Sequence, residues 1–231
     1  MSERSRPYHH GDLRAALVAE ALAIARHDRA ALSLREVTRR AGVTPAAAYR
    51  HFRDRSALLA ALAREIQDRM VVSMRARVAG PGSSGPGSTD PARAALRHLR
   101  GVGLGYIDFA REEPGWFELA FFGGEAEREQ ESGPAGPAVP DAVPTGDGAG
   151  PPEPTALAQV PPFAELLAAL DECTATGALA ADRRPGAEFS CWSAVHGCAE
   201  LIVHGPLRGA PPQVVQAVAE RVVDDIISGI R

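Results

Sequence analysis

The segment from Ser33 to Phe52 leaves its backbone very little choice: Ser-Leu-Arg-Glu-Val-Thr-Arg-Arg-Ala-Gly-Val-Thr-Pro-Ala-Ala-Ala-Tyr-Arg-His-Phe. Ser33 is placed to cap a short helix whose inward face is Leu34, Val37 and Ala41, three and four residues apart as a helical stripe requires. Gly42 ends it, because glycine enters the left-handed backbone region without a Cβ penalty. Val43 plugs the corner. Thr44 then offers a hydroxyl at the next N-cap, and Pro45 sits at the first helical position, where a missing N–H costs nothing. The second helix needs Ala48 and Phe52 inside, which leaves Ala46, Ala47, Tyr49, Arg50 and His51 facing outward. Small residues at the front of such a helix allow close entry into a major groove, and the Tyr, Arg and His beside them can reach phosphates. A plain αα-hairpin with a solvated polar face is the bland alternative, but it has no need of an exposed Tyr-Arg-His run beside a row of alanines. The pattern is that of a helix-turn-helix.

The resemblance extends beyond the two helices. Tyr8-His9-His10-Gly11-Asp12-Leu13-Arg14, Leu34-Arg35-Glu36-Val37 through Ala41-Gly42-Val43, and Tyr49-Arg50-His51-Phe52 followed by Leu58-Leu59 together make the stretch from Tyr8 to about Met70 resemble the DNA-binding domain of the TetR family of transcriptional regulators. The resemblance implies that Thr44, Tyr49 and His51 contact phosphates and that Pro45, Ala46 and Ala47 lie against base edges. Arg35 and Arg50 are also expected among the DNA-binding residues. Where the family usually carries a lysine at the start of the fourth helix this chain has Arg55, which keeps the charge and can still bind phosphate through its fork. His9 and His10 read most simply as arm residues near the DNA.

Charge distribution supports the same division. Met1 to Arg75 holds 14 arginines against 8 acidic residues, a balance of +6, while the remainder holds 11 against 21, a balance of −10. A whole-chain charge of −4 therefore conceals a basic head and an acidic body, as expected of a DNA reader whose body should not adhere to DNA. All 25 cations are arginines, which matches the Ala, Gly and Pro bias of the composition more than any function.

At 231 residues the chain accommodates one head, taken as residues 1–55, and a larger body, residues 56–231. No run of about 18 apolar residues exists, and Glu3 and Arg4 charge the N-terminus, so neither a membrane span nor a signal peptide is expected, and a cytoplasmic location is. Cys173, Cys191 and Cys198 form no metal-ligand spacing; Cys191 and Cys198 are too far apart along one helix for a disulfide, so buried free thiols are expected rather than a redox sensor.

The periodicity predicts an all-α chain. Asp12 can cap a first helix with Leu13, Leu17, Ala21 and Ile24 inward, and a long fourth helix from about Arg55 to Val78 carries Leu58, Leu62, Ile66 and Met70. Gly80 to Asp90 reads as a linker. A fifth helix, Pro91 to Glu112, points Leu96, Leu99, Val102, Tyr106 and Phe109 inward. Pro114-Gly115 restarts the chain before Trp116, Phe117, Leu119, Phe121 and Phe122, the densest aromatic cluster, which marks either a core or a pocket wall. Residues 123–162 are too poor in large apolar side chains to order and are expected to be a disordered loop. Helical patterns follow at Phe163 to Thr176, Ala187 to about Leu207 and Pro211 to Ile230. In the last, Val214 or Val215, Val218, Val222, Ile226 and Ile230 form a stripe that Val223 and Ile227 widen, and so broad a stripe usually packs against more than its own core. Two such final helices suit a homodimer, which would let two heads read a palindrome.

The stretch Trp192-Ser193-Ala194-Val195-His196-Gly197, continuing through His204-Gly205-Pro206-Leu207, resembles the Trp-His-Gly signature of one TetR C-terminal subfamily. Trp192 and His196 are spaced to stack on one helical face, and His196 is read either as a ligand sensor or as a hydrogen-bonded packing residue. The resemblance implies a ligand-responsive regulator, a repressor released from a palindromic double-stranded DNA operator when a small apolar or amphipathic effector binds among Tyr106, Trp116, Phe117, Phe121, Phe163, Leu167, Trp192 and His196. A DNA-binding regulator whose body is a protein-interaction module, with no effector, is the alternative. No metal or cofactor motif is present, and no catalytic signature supports an enzyme.

Overall fold

A computed structural model describes residues 13–27, 31–79, 90–122 and 157–231. Asp12, His9, His10, most of the Gly80–Asp90 linker and residues 123–156 of the expected loop lie outside that set. The described residues form nine α-helices and one 3-10 turn, with no strand. In chain order these are α1 (Leu13–His27), α2 (Leu34–Ala41), α3 (Pro45–Tyr49), α4 (Arg55–Ala79), α5 (Pro91–Glu112), α6 (Pro114–Phe122), the turn Leu157–Gln159, α7 (Pro161–Ala175), α8 (Ala187–Val203) and α9 (Pro212–Ile230). The periodicity locates eight of these nine α-helices, with ends shifted by a few residues; α6 forms over the Pro114–Phe122 aromatic cluster, for which it predicts no helix. The expected loop ends earlier than Pro162, because α7 opens on the Pro161-Pro162 pair, where proline suits the first turn.

The chain divides into two compact units, and the division falls inside α4, between Ile66 and Gln67. The first unit contains α1 to α3, the front of α4 and, from Gly115 onward, α6. Its core is Leu17, Ala21, Ile24, Val37, Ala48, Phe52, Leu58, Leu62 and Ile66, joined by Phe117. That α6 belongs here follows from its docking on α1. The Trp116 indole N–H donates to the Leu22 carbonyl at 3.0 Å, and the Arg26 guanidinium lies 5.4 Å from the indole centroid. Gly115 permits this approach, since a Cβ there would sit 3.2 Å from the Ala25 carbonyl oxygen.

The second unit contains the rest of α4, α5 and α7 to α9, with α5 in its middle packing against α7, α8 and α9. Its core includes Met70, Met74, Val102, Tyr106, Phe163, Leu170, Cys173, Ala199 and Val223. A Cβ on Gly105 would lie 2.5 Å from the Met74 Cα, and one on Gly101 would lie 2.7 Å from Val78 Cγ2, so two glycines one turn apart let α5 meet the α4 backbone directly. The helix ends at Pro114, which has no N–H to continue the ladder. Ion pairs Arg75–Glu165 and Arg100–Asp224 join helices across the exposed rim of this unit, where such pairs contribute little.

On α9 the wide apolar stripe resolves into two. Val215, Ala219, Val223 and Ile230 are buried against the unit's own core. Val214, 46% exposed, and the exposed Ala217 line a shallow open groove on the outer side together with Gln213, Val218, Arg221 and Val222. All three cysteines are buried free thiols, and burial pushes Cys173 and Cys191 up to about 11, which makes them poor nucleophiles. Among the described residues no helix is long and apolar enough to cross a membrane, and no cluster of His, Cys, Asp and Glu is arranged to hold a metal.

Candidate functional site

The turn between α2 and α3 is built from the caps its sequence predicts. Ser33 Oγ accepts from the Glu36 N–H at 3.2 Å, and Thr44 Oγ1 accepts from the Ala47 N–H at 3.3 Å. Gly42 has φ of 66°, a left-handed conformation, and its N–H reaches the Arg39 carbonyl while the Val43 N–H reaches that of Thr38. Pro45 occupies the first turn of α3. Thr38, not singled out by the periodicity, is buried in place of the half-exposed Ala41, its hydroxyl donating to the Arg35 carbonyl at 2.9 Å.

This framework fixes which side chains of α3 and its flanks face solvent. Ala48 and Phe52 are fully buried, and the Arg14 guanidinium lies 5.4 Å from the Phe52 ring centroid. Pro45, Ala46, Tyr49 and Arg50 are exposed, and Ala47 and His51 half-buried. Tyr49 is 57% exposed, a large aromatic with no share in the core. The cations divide into two sets. Arg39 and Arg40 both bond Glu36, and these contacts, Arg39's first, hold the Glu36 carboxyl down to about 2. Arg35 and Arg50, by contrast, form no ion pair among the described residues. Arg55 opens α4 behind a cap that sequence reasoning missed: Asp54 Oδ1 accepts from the Ala57 N–H at 2.8 Å. Its signal was available, since Asp54 directly precedes an apolar helical pattern.

The second cluster lies in the second unit. The Tyr106 phenol and His196 Nδ1 are 2.7 Å apart, linking α5 to α8. The Trp192 and His196 rings stack at 5.7 Å with 9° between planes, as their spacing predicts, and Trp192 meets the edges of Tyr106 at 5.2 Å and Phe163 at 5.3 Å. Burial, aided by the Glu200 charge, raises Tyr106 well above its ordinary value, while burial lowers His196 against the opposing pull of Glu200. Both groups are therefore neutral near pH 7 and share one hydrogen bond between the phenol oxygen and Nδ1. Tyr106, Phe163, Trp192 and His196 thus come together as one aromatic cluster, with Leu167 half-buried on α7. Trp116, Phe117 and Phe121 belong to the first unit, where the Phe117 and Phe121 rings lie 5.3 Å apart.

Similarity to other proteins follows the same two parts. Residues 17–62 match the family model of bacterial regulatory proteins of the tetR family, and residues 99–226, more than half the chain, match that of the tetracyclin repressor-like C-terminal domain. No curated protein matches. Among solved structures, a protein of unknown function from Rhodococcus sp. RHA1 is 26% identical, with a TM-score of 0.66 over 97% of this chain and 98% of that one. The putative regulatory protein SCO4313 is 21% identical, with a TM-score of 0.57 over 97% of this chain and 100% of that one. PfmR, a TetR family transcriptional regulator from Thermus thermophilus, is 16% identical, with a TM-score of 0.51 over 94% of this chain and 98% of that one, a likeness of fold. The matching C-terminal model does not single out the Trp-His-Gly subfamily. A capped helix-turn-helix with its small-residue front exposed, on a helical body that matches a regulator's C-terminal domain, makes this a DNA-binding regulator, and the chain belongs to the TetR family.

Proposed function

We propose that the protein is a repressor that binds a palindromic operator as a homodimer and is released by a small amphipathic effector. The observation that carries the DNA part is the outward face of α3: Ala46 and Ala47 bring the backbone close to base edges, while Thr44, Tyr49, Arg50 and His51 flank them, with Arg35 and Arg55 exposed nearby in sequence, as the phosphate-contacting residues. Phosphate contacts position the head, and the small front residues decide which bases fit.

Dimerisation is supported by the outer side of α9. Val214, Ala217, Val218 and Val222 form an apolar strip that the chain's own core does not use, and Leu201 on α8 is 47% exposed. Two copies of this pair of helices would bury the strip in a four-helix bundle and hold two heads in twofold symmetry. The effector part rests on the Tyr106–Phe163–Trp192–His196 cluster, whose one neutral hydrogen-bonded pair sits in an aromatic wall. Trp116, Phe117 and Phe121 remain candidates for effector contact by sequence position alone. An effector-driven change in the spacing of the two heads that no longer matches the DNA repeat would lose a half-site.

The test is a titration of purified protein against DNA from upstream of its own gene and against scrambled DNA of equal length, at two salt concentrations, with the oligomeric state read by sedimentation. The proposal expects a dimer that selects one DNA. Tyr49→Ala and His51→Ala are expected to weaken binding to both DNAs, and Ala46→Ser to change the preferred site. A monomer whose binding is equally weak on both DNAs would overturn it.

A further inference from the structure

Among the described residues, Glu200 Oε1 is the single buried side-chain oxygen or nitrogen with no hydrogen-bond partner. Its other oxygen, Oε2, lies 2.8 Å from Nδ1 of His204, the C-cap residue of α8, so the carboxylate, on a side chain 31% exposed, is held at one oxygen and has no hydrogen-bond partner at the other. Buried acceptors ordinarily find a donor, and a carboxylate oxygen is among the most costly to leave without one.

The position of Glu200 gives this oxygen a context. Trp192, His196, Glu200 and His204 follow one another at four-residue spacing, so they form a single line along α8. The line begins in the aromatic wall, where Trp192 meets Phe163 and Tyr106 edge-on, passes through the stacked imidazole, and reaches the carboxylate. The Glu200 charge acts on both the Tyr106 phenol and the His196 ring, which places it electrostatically against the same cluster. The cluster therefore has an apolar end of three aromatic rings and a polar end with a surplus acceptor.

Resting on the effector reading above, we infer that Glu200 Oε1 receives the polar end of the effector, and that the effector is an amphipathic amine whose apolar part lies against Phe163 and Trp192. An ammonium is the donor that satisfies both geometry and charge. It pairs with a carboxylate in a charge-assisted bond, and the faces of Trp192 and Tyr106 attract a cation. His196, uncharged, offers no competing cation. An anionic effector of the same length meets a like charge at Glu200, and an alcohol supplies a donor without the charge.

The experiment compares octylamine, 1-octanol and octanoate at pH 7, each measured by calorimetric titration into the full chain and by release of the protein from its operator. For the wild-type protein the expected order is amine, then alcohol, then carboxylate, with the amine preferred over the alcohol by about tenfold. Glu200→Gln keeps the size of the side chain and removes its charge, and is expected to bring the amine preference over the alcohol below about threefold. If circular dichroism shows that Glu200→Gln does not fold, Glu200→Asp withdraws the charge by one methylene, and the amine preference must fall there as well. Equal binding of amine and alcohol, unaffected by the substitution, would mean that the oxygen is merely solvated, and would overturn the inference. Preferential binding and DNA release by octanoate or octanol would also overturn it while leaving the effector reading intact. If none of the three binds and operator affinity is unmoved by all of them, both fall.

Discussion

Replacing Gly105 by alanine tests how closely α4 and α5 are joined. The new Cβ would lie 2.5 Å from the Met74 Cα, 3.1 Å from its N and 3.1 Å from the Ser73 carbonyl oxygen. All three neighbours are backbone, so no rotamer change relieves the contact, and the helices must separate by roughly 1 Å to restore ordinary packing. Overpacking of that kind costs about 1–3 kcal/mol, and a contact this short against main chain belongs at the upper end. Against it stands about 1 kcal/mol gained by alanine over glycine inside a helix. The net expectation is a loss of about 2 kcal/mol, or roughly 4–8 °C in Tm for a chain of this size. The neighbouring glycines provide a graded comparison in the same helix. At Gly101 the nearest atom is the Val78 side chain at 2.7 Å with its Cα at 3.0 Å, which predicts a smaller loss. At Gly103 the nearest atoms are Val223 and Val195 methyls at 3.3–3.5 Å, which can give, so that substitution is expected to be nearly neutral. Urea unfolding followed by circular dichroism measures all three. If Gly105→Ala proves as stable as Gly103→Ala, the direct backbone meeting of α4 and α5 is wrong.

Three further outcomes follow from the geometry. Trp116→Phe keeps an aromatic ring but removes the indole N–H that donates to the Leu22 carbonyl, so thermal unfolding is expected to show a loss of about 1 kcal/mol; an unchanged Tm would place the indole elsewhere. Thr44→Ala removes the α3 cap at a cost of about 1 kcal/mol, whereas Thr44→Ser keeps the hydroxyl and most of the stability, a contrast readable by chemical denaturation. Burial holds the His196 pKa in the folded chain below its ordinary 6.5, so the neutral ring contributes its full stability above that pH and loses it as pH falls further; between pH 7 and 5 the wild-type protein is expected to lose stability more steeply than His196→Gln, and parallel pH profiles would refute this.

The helix-turn-helix was legible in the sequence because its determinants are local. Ser33, Gly42, Thr44 and Pro45 each act on backbone groups within a few residues, and the periodic positions Val37, Ala48 and Phe52 point inward by helical geometry alone. The stack of Trp192 on His196 was legible for the same reason, being a four-residue relation within one helix. The stripe on the last helix could be seen to be wide, but not how it is shared. Only packing separates Val215, Ala219 and Val223, which face the core, from Val214, Ala217 and Val222, which line the outer groove.

The sequence by itself determined the helices, their caps and the face of α3 turned outward, because those follow from spacing and backbone chemistry over one or two turns. Tertiary structure alone decided the partners of residues remote in the chain. Density of aromatics could not distinguish Trp116, which joins α1 through a hydrogen bond across 94 positions, from Tyr106, which joins His196 across 90. Nor could it show that Glu200 would be left with a buried oxygen unpaired. Such pairings depend on how helices meet, and helix meetings are set by the summed packing of many side chains, which no local pattern encodes.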